Sequence, residues 1–324
     1  MPQANKRTED CQPLQGMPLC GVPRFILTLM LLLPATAWPD ELAEVQLKKI
    51  LMADNQALQD ILGWIDEEKE TLRTSPAARD RLALQIRTRL GEVRQQYETF
   101  LKAHPKHARG RVAYGSFLTN LDDREAARAQ WKLALKNDPG NAAALNNIAT
   151  HIGTISLRNE ITDQLPTAFQ SQQKAIRLAP KQALYRHNFA TLLNTFPKEA
   201  CTHLKLTERQ LTQRALRELK TAMTLAPVDF EIAADYAETF LDLKPFPHAR
   251  AIAAWKNAAA LAKRPEEQDW AHLQMAVAHL KSSHWQEADF SLRRMRPGSH
   301  GPLVKQLKAA IAAQRKRASK PKAP

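Results

Sequence analysis

The chain is poor in the residues that break or staple a fold. Its 324 residues include 10 glycines and 3 cysteines. Cys11 and Cys20 lie near the amino terminus, which leaves Cys201 alone beyond residue 37 and excludes an internal disulfide framework there. Scarce glycine beside abundant alanine and leucine favours helix. Catalytic signatures are lacking too: no Gly-rich phosphate loop, no HExxH, no GxSxG and no CxxC. The expectation is therefore no enzyme, no cofactor and no metal. Acidic residues are missing from Phe290 to the end, where ten Lys and Arg fall. The formal net charge of +14 is thus mostly a property of the carboxy terminus.

The sequence has one conspicuous apolar run, Phe25 to Pro34 (FILTLMLLLP). It is preceded by Arg24 and followed by Ala35-Thr36-Ala37, the basic flank, short apolar core and small-x-small end of a secretory signal peptide. It is short for a bilayer span. Cleavage after Ala37 gives a mature chain beginning at Trp38, exported to the periplasm or secreted. The alternative is an uncleaved leader that anchors the protein. Either Met1 or Met17 can be the start.

From Asp40 to Ala103 the pattern predicts a long helical hairpin within a 38–104 segment. Leu47, Leu51, Leu58, Ile61, Ile65 and Leu72 follow helical spacing in a first helix reaching about Arg73. Ser75-Pro76 opens a second helix, with serine as N-cap and proline in the first turn. The two helices either pack on each other and on the first repeat or form the seam of a homodimer.

The next stretch, His107 to Asn141, organises the chain. Gly115, Ala127 and Ala134 are small residues at which two antiparallel helices can approach. Trp131 fills the gap between them, and Asp138-Pro139-Gly140-Asn141 turns the chain. Pro105 lies 34 residues before Pro139. This pattern resembles a tetratricopeptide repeat, whose period is 34 residues. Tyr114, Leu118 and Arg111 depart from the residues usual in that family. Weaker copies come after it: Ala149, Ala168, Ala175, Pro180; then Ala190, Ala215, Leu219, Ala222, Pro227; then Ala237, Ala251, Trp255, Ala258, Pro265; then Ala276, Ala288, Leu292, Met295. In units two to four the first-helix alanine lies ten residues after the preceding proline.

The resemblance implies an all-α, right-handed superhelix of stacked helical hairpins. Its units lie at about 108–141, 142–182, 183–229, 230–265 and 266–297, with a capping helix at 298–313 and a disordered basic tail at 314–324. The second and third units are long, 41 and 47 residues between prolines, with the excess around Gly153–Leu165 and Thr195–Leu206. Pro166 opens one second helix, and Thr207 with Gln210 opens the next as a capping box.

In the resembled family, partners bind the concave face lined by first helices. The matching polar residues here are Ser116, Thr119, Asn120, Asn146, Thr150, His187, Thr191, Asn194, Glu231, Glu238 and Asp242. Asn147 and Asn188 stand where the family often uses asparagine to hold peptide backbone, to which a side-chain amide can both donate and accept. The other reading is that these two bond neighbouring helices or cap turns. Only Arg109 stands where chaperone-binding members use Lys and Arg, so that specificity is not expected. The implied function is a non-catalytic interaction scaffold for a protein or peptide in the cell envelope. A different reading assigns function to the tail, a binder of anionic polymers or membrane surfaces. The tail has no aromatics for stacking on bases, so nucleic acid is not expected. Cys201 with His203, the histidines His272, His279 and His284, and the acidic run Asp66–Glu68 read as ordinary structural or solvated residues.

Overall fold

The computed structural model describes residues 41–318; the leader and the last six residues, 319–324, lie outside the described residues. The described chain is helical and divides into two compact units, one through Pro105 and one from Lys106.

The first unit holds α1 (Glu41–Glu67), α2 (Lys69–Thr74) and α3 (Pro76–Ala103). The spacing predicts one helix to about Arg73, with Asp54 and Glu68 interrupting its apolar positions. The helix breaks at the second of these, Glu68, whose φ −96° and ψ 8° leave the α region before α2 resumes. Ser75 caps α3 as expected, its hydroxyl accepting from the Ala78 N–H at 3.2 Å. α1 buries Ala43, Leu47, Ile50, Asp54 and Ala57, and α3 buries Leu82, Val93, Tyr97 and Phe100. Asp54 sits among these apolar residues, 8% exposed, and accepts from the Tyr97 hydroxyl at 2.9 Å. Its other oxygen has no partner among the described residues.

The second unit runs α4 (Ala108–Asn120), α5 (Arg124–Asn137), α6 (Ala142–Asn159), α7 (Leu165–Leu178), α8 (Ala183–Thr195), α9 (Pro197–Leu204), α10 (Glu208–Leu225), α11 (Phe230–Thr239), α12 (His248–Leu261), α13 (Pro265–Lys281), α14 (Trp285–Arg293) and α15 (Gly301–Ala318). The hairpins are α4/α5, α6/α7, α8/α10, α11/α12 and α13/α14, with α15 packed on the last. Asp123, Asn141 and Asp229 each cap a helix by accepting an N–H three residues on. Thr207 and Gln210 form the expected capping box of α10. The two length excesses take different forms. One is an α6 of 18 residues followed by a short link to α7, and the other is the added helix α9.

In the first hairpin a Cβ on Gly115 would stand 2.4 Å from Trp131 Nε1, so the helices approach only because glycine has none. Gly115→Ala is expected to lower unfolding stability by about 1–3 kcal/mol, because the overpacking outweighs alanine's better helix propensity. Denaturant unfolding checks this, and an alanine variant as stable as the parent would mean the ring can move aside. Trp131 Nε1 donates to the Val112 carbonyl at 3.3 Å. Trp255, at the corresponding place in the fourth hairpin, is fully buried, and its indole N–H has no partner among the described residues. Trp131→Phe is therefore expected to cost more than Trp255→Phe by about 1 kcal/mol, since only the first removes a hydrogen bond and the second removes an unsatisfied donor. Equal losses in paired unfolding curves would contradict this.

Two boundaries differ from expectation. Pro265 does not close the fourth hairpin but stands in the first turn of α13, where its missing N–H costs nothing. Glu267 accepts the N–H groups of Lys263 and Arg264 there, at 2.7 and 3.2 Å. The tail, expected to be disordered from Gln314, is helical through Ala318. Alanine, lysine and arginine favour helix, Ile311 is buried in the last core cluster, and Gln314 Nε2 donates to the Leu280 carbonyl at 3.1 Å.

Candidate partner-binding site

The first helices of successive hairpins carry a ladder of polar side chains. From α6 to α4, Asn147 Nδ2 donates to Ser116 Oγ at 3.2 Å. Within α6, Asn146 Nδ2 donates to Asn147 Oδ1 at 3.1 Å. The buried Asn146 Oδ1 accepts twice at 2.9 Å, from Gln172 of α7 and from Asn188 of α8. Gln172 Nε2 also donates to the Tyr185 carbonyl at 2.6 Å. The ladder continues between α8 and α11. His187, 5% exposed, holds Nε2 2.7 Å from Asp235 Oδ2. Thr191 Oγ1 lies 3.3 Å from the same oxygen, and Asn194 Nδ2 donates to Thr239 Oγ1 at 2.8 Å.

Seven of the expected site residues, Ser116, Asn146, Asn147, His187, Asn188, Thr191 and Asn194, thus bond a neighbouring first helix or another member of the ladder. Their polar groups hold the helices in register, which is stabilising only because each buried amide finds a partner. Asn147 and Asn188 bond neighbouring helices rather than standing free. The amide oxygen of Asn188 takes no hydrogen bond among the described residues, so one acceptor remains available. Asn120 is exposed at the end of α4, and Thr150 is exposed with its hydroxyl on the Asn146 carbonyl. Glu238 is exposed on α11. Glu231 and Glu238 both keep exposed surface, but partial desolvation, with the charge of Asp229, pushes the Glu231 carboxyl above the usual range, and partial desolvation with Asp235 and Asp242 does the same for Glu238. The strip grades from neutral amides to crowded carboxylates.

Gln172, Asp235 and Thr239 are absent from the sequence-based set. Asp235 lies four residues after Glu231 and four before Thr239, a helical stripe that could have flagged both. Other candidates settle quietly. The His203 ring lies 5.6 Å from that of Phe169, and burial with Glu208 raises the Cys201 thiol, away from a reactive thiolate. His279 and His284 meet His248 from α12, which the sequence spacing could not show. His248 Nε2 is 3.0 Å from His279 Nδ1, and the His248 and His284 rings stack at 4.3 Å. Among the described residues no group of three such side chains could hold a metal ion.

Serial hairpins joined edge to edge define an α-solenoid repeat protein. No family model matches the chain, and no curated protein matches it in sequence. Solved structures do. The pilF protein of Pseudomonas aeruginosa is 15% identical with a TM-score of 0.51, over 81% of this chain and 99% of that one. The C-terminal part of a TPR repeat-containing protein from Cytophaga hutchinsonii is 14% identical with a TM-score of 0.49, over 82% and 97%. YrrB, described as a TPR protein with an unusual peptide-binding site, is 15% identical with a TM-score of 0.47, over 68% and 97%. The fold of this chain is that of the tetratricopeptide-repeat proteins.

Proposed function

We propose that the chain is a non-catalytic protein–protein interaction scaffold of the cell envelope that binds a peptide or protein along its first helices. The observation that carries this reading is the two-tier polar strip. A lower tier, Asn146, His187 and Gln172, is buried and satisfied, and so fixes the spacing of α6, α8 and α11. An upper tier, Asn120, Thr150, Thr191, Asn194 and Glu238, is presented to solvent at that fixed spacing. A rigid lower tier reduces the ordering cost of binding. The envelope location rests on the leader.

The test is partner capture from native extract with the mature chain, washed at low and high salt, beside an Asn120→Ala/Thr150→Ala/Glu238→Gln variant. These residues are exposed, so the variant should keep its fold. A defined protein retained at high salt by the parent and lost by the variant is the expected result. Retention by both would remove the strip as the working surface.

A second reading draws on α15. Lys305, Lys308 and Arg315 are exposed on the helix that buries Ile311, giving it a basic side. In this reading the basic end attracts anionic membrane surfaces, at about 1 kcal/mol per basic residue. Removing the residues from Arg315 onward should then weaken binding to anionic liposomes in a salt-dependent way. Unchanged liposome binding would end this reading.

A further inference from the structure

Away from the polar strip, α12, α13 and α14 line a half-open cavity of about 510 Å³. That size suits a small ligand rather than a protein surface. Its wall is mostly apolar, with Ile252 and Met275 buried and Phe290 63% exposed at the mouth. Two cations line it, Lys256 and Arg294, against one carboxylate, Glu287. Neither cation makes an ion pair among the described residues. The Arg294 guanidinium instead lies 5.9 Å from the Phe290 ring centre. His272 also lines the cavity and is 8% exposed, and its Nδ1 is sealed from solvent with no hydrogen-bond partner among the described residues. A buried ring nitrogen without a partner is costly, and it is one of several such polar atoms among the described residues.

We propose that this cavity binds a small amphipathic carboxylate, its apolar body against Ile252, Met275 and Phe290 and its carboxylate between Arg294 and Lys256, beside His272. The excess positive charge selects an anion. A planar guanidinium suits a carboxylate because it can donate two parallel hydrogen bonds. The apolar wall excludes a fully hydrated ion such as free phosphate as the best occupant.

The test is calorimetric titration of the full chain with three probes of one chain length, octanoate, octanol and octylamine. Octanoate is expected to saturate and to bind about tenfold more tightly than octylamine. Arg294→Gln, at an exposed position that the fold does not need, should weaken octanoate about tenfold and leave octanol unchanged. Phe290→Ala should weaken octanoate and octanol alike. Octanoate that does not saturate, equal affinity for octylamine, or an unchanged affinity in Arg294→Gln would overturn the proposal. A tripeptide ending in leucine that bound more tightly than octanoate would also overturn it, since the occupant would then be a peptide terminus.

Discussion

Replacing Glu218 with alanine should destabilise the second unit by about 3 kcal/mol. Glu218 is buried on α10 between two guanidinium groups, Arg186 of α8 at 2.7 Å and Arg214 one turn before it at 2.9 Å. Removing one partner of a buried pair leaves uncompensated charge, which typically costs about 3–5 kcal/mol. The lower end applies because the arginine side chains keep 20% and 37% of their exposure and can rehydrate. The place matters as well. α8 and α10 are the paired helices separated by α9, so no short turn sets their register. Glu218→Gln should lose about half as much, because it keeps an acceptor for one arginine. Arg214→Ala should cost less still, because Glu218 retains Arg186. Urea unfolding followed by circular dichroism, with exchange protection of α8 and α10, reads the effect. A loss in Glu218→Ala below about 0.5 kcal/mol would show the triad to be spectator charge.

Asp54 gives the opposite sign. Burial, against the Tyr97 hydrogen bond, pushes its carboxyl from 3.8 up to about 6. The folded hairpin therefore holds a proton that the unfolded chain has released. Its contribution to stability is complete below the unfolded value of 3.8 and is lost as pH rises through about 6. The full swing is about 3 kcal/mol, from roughly two units at 1.36 kcal/mol each. Asp54→Asn should remove that dependence and stabilise the first unit by about 1–2 kcal/mol at pH 8. It gains less than the full swing because its amide would place a donor where the second carboxyl oxygen now has no partner among the described residues. Hydrogen-exchange protection of α1 and α3, corrected for intrinsic rates, isolates this unit. Protection that rises with pH in the parent, or a variant with the parent's slope, would contradict the assignment.

Where the sequence was legible, the deciding residues were close together in the chain. Gly115 and Trp131 belong to one hairpin, and their sizes are complementary. Ser75-Pro76 and Thr207 with Gln210 mark helix starts by chemistry confined to four residues. The opaque features depend on distant partners. Asp235 acquires its role only when α11 lies beside α8, because His187 stands 48 residues earlier. The histidine group needed His248, 31 residues before His279. Pro265 was ambiguous for a local reason, since proline serves equally after one helix and in the first turn of the next. The end of α15 reads as disordered from charge alone, and the buried Ile311 and the Gln314 hydrogen bond that hold it are tertiary.

The helix α9 has a consequence beyond its own hairpin. It enters between two helices that still pair with each other, and it adds a contact of its own to the preceding hairpin, His203 on Phe169 of α7, without reordering the stack. The cost of a longer connection grows only with the logarithm of its length. A solenoid of this kind is editable along one margin. Segments can be added or trimmed there, by mutation or by design, and the outline changes while the order of the stack is inherited intact. The same tolerance lets repeat lengths wander from a fixed period, so kinship in shape can outlast kinship in sequence.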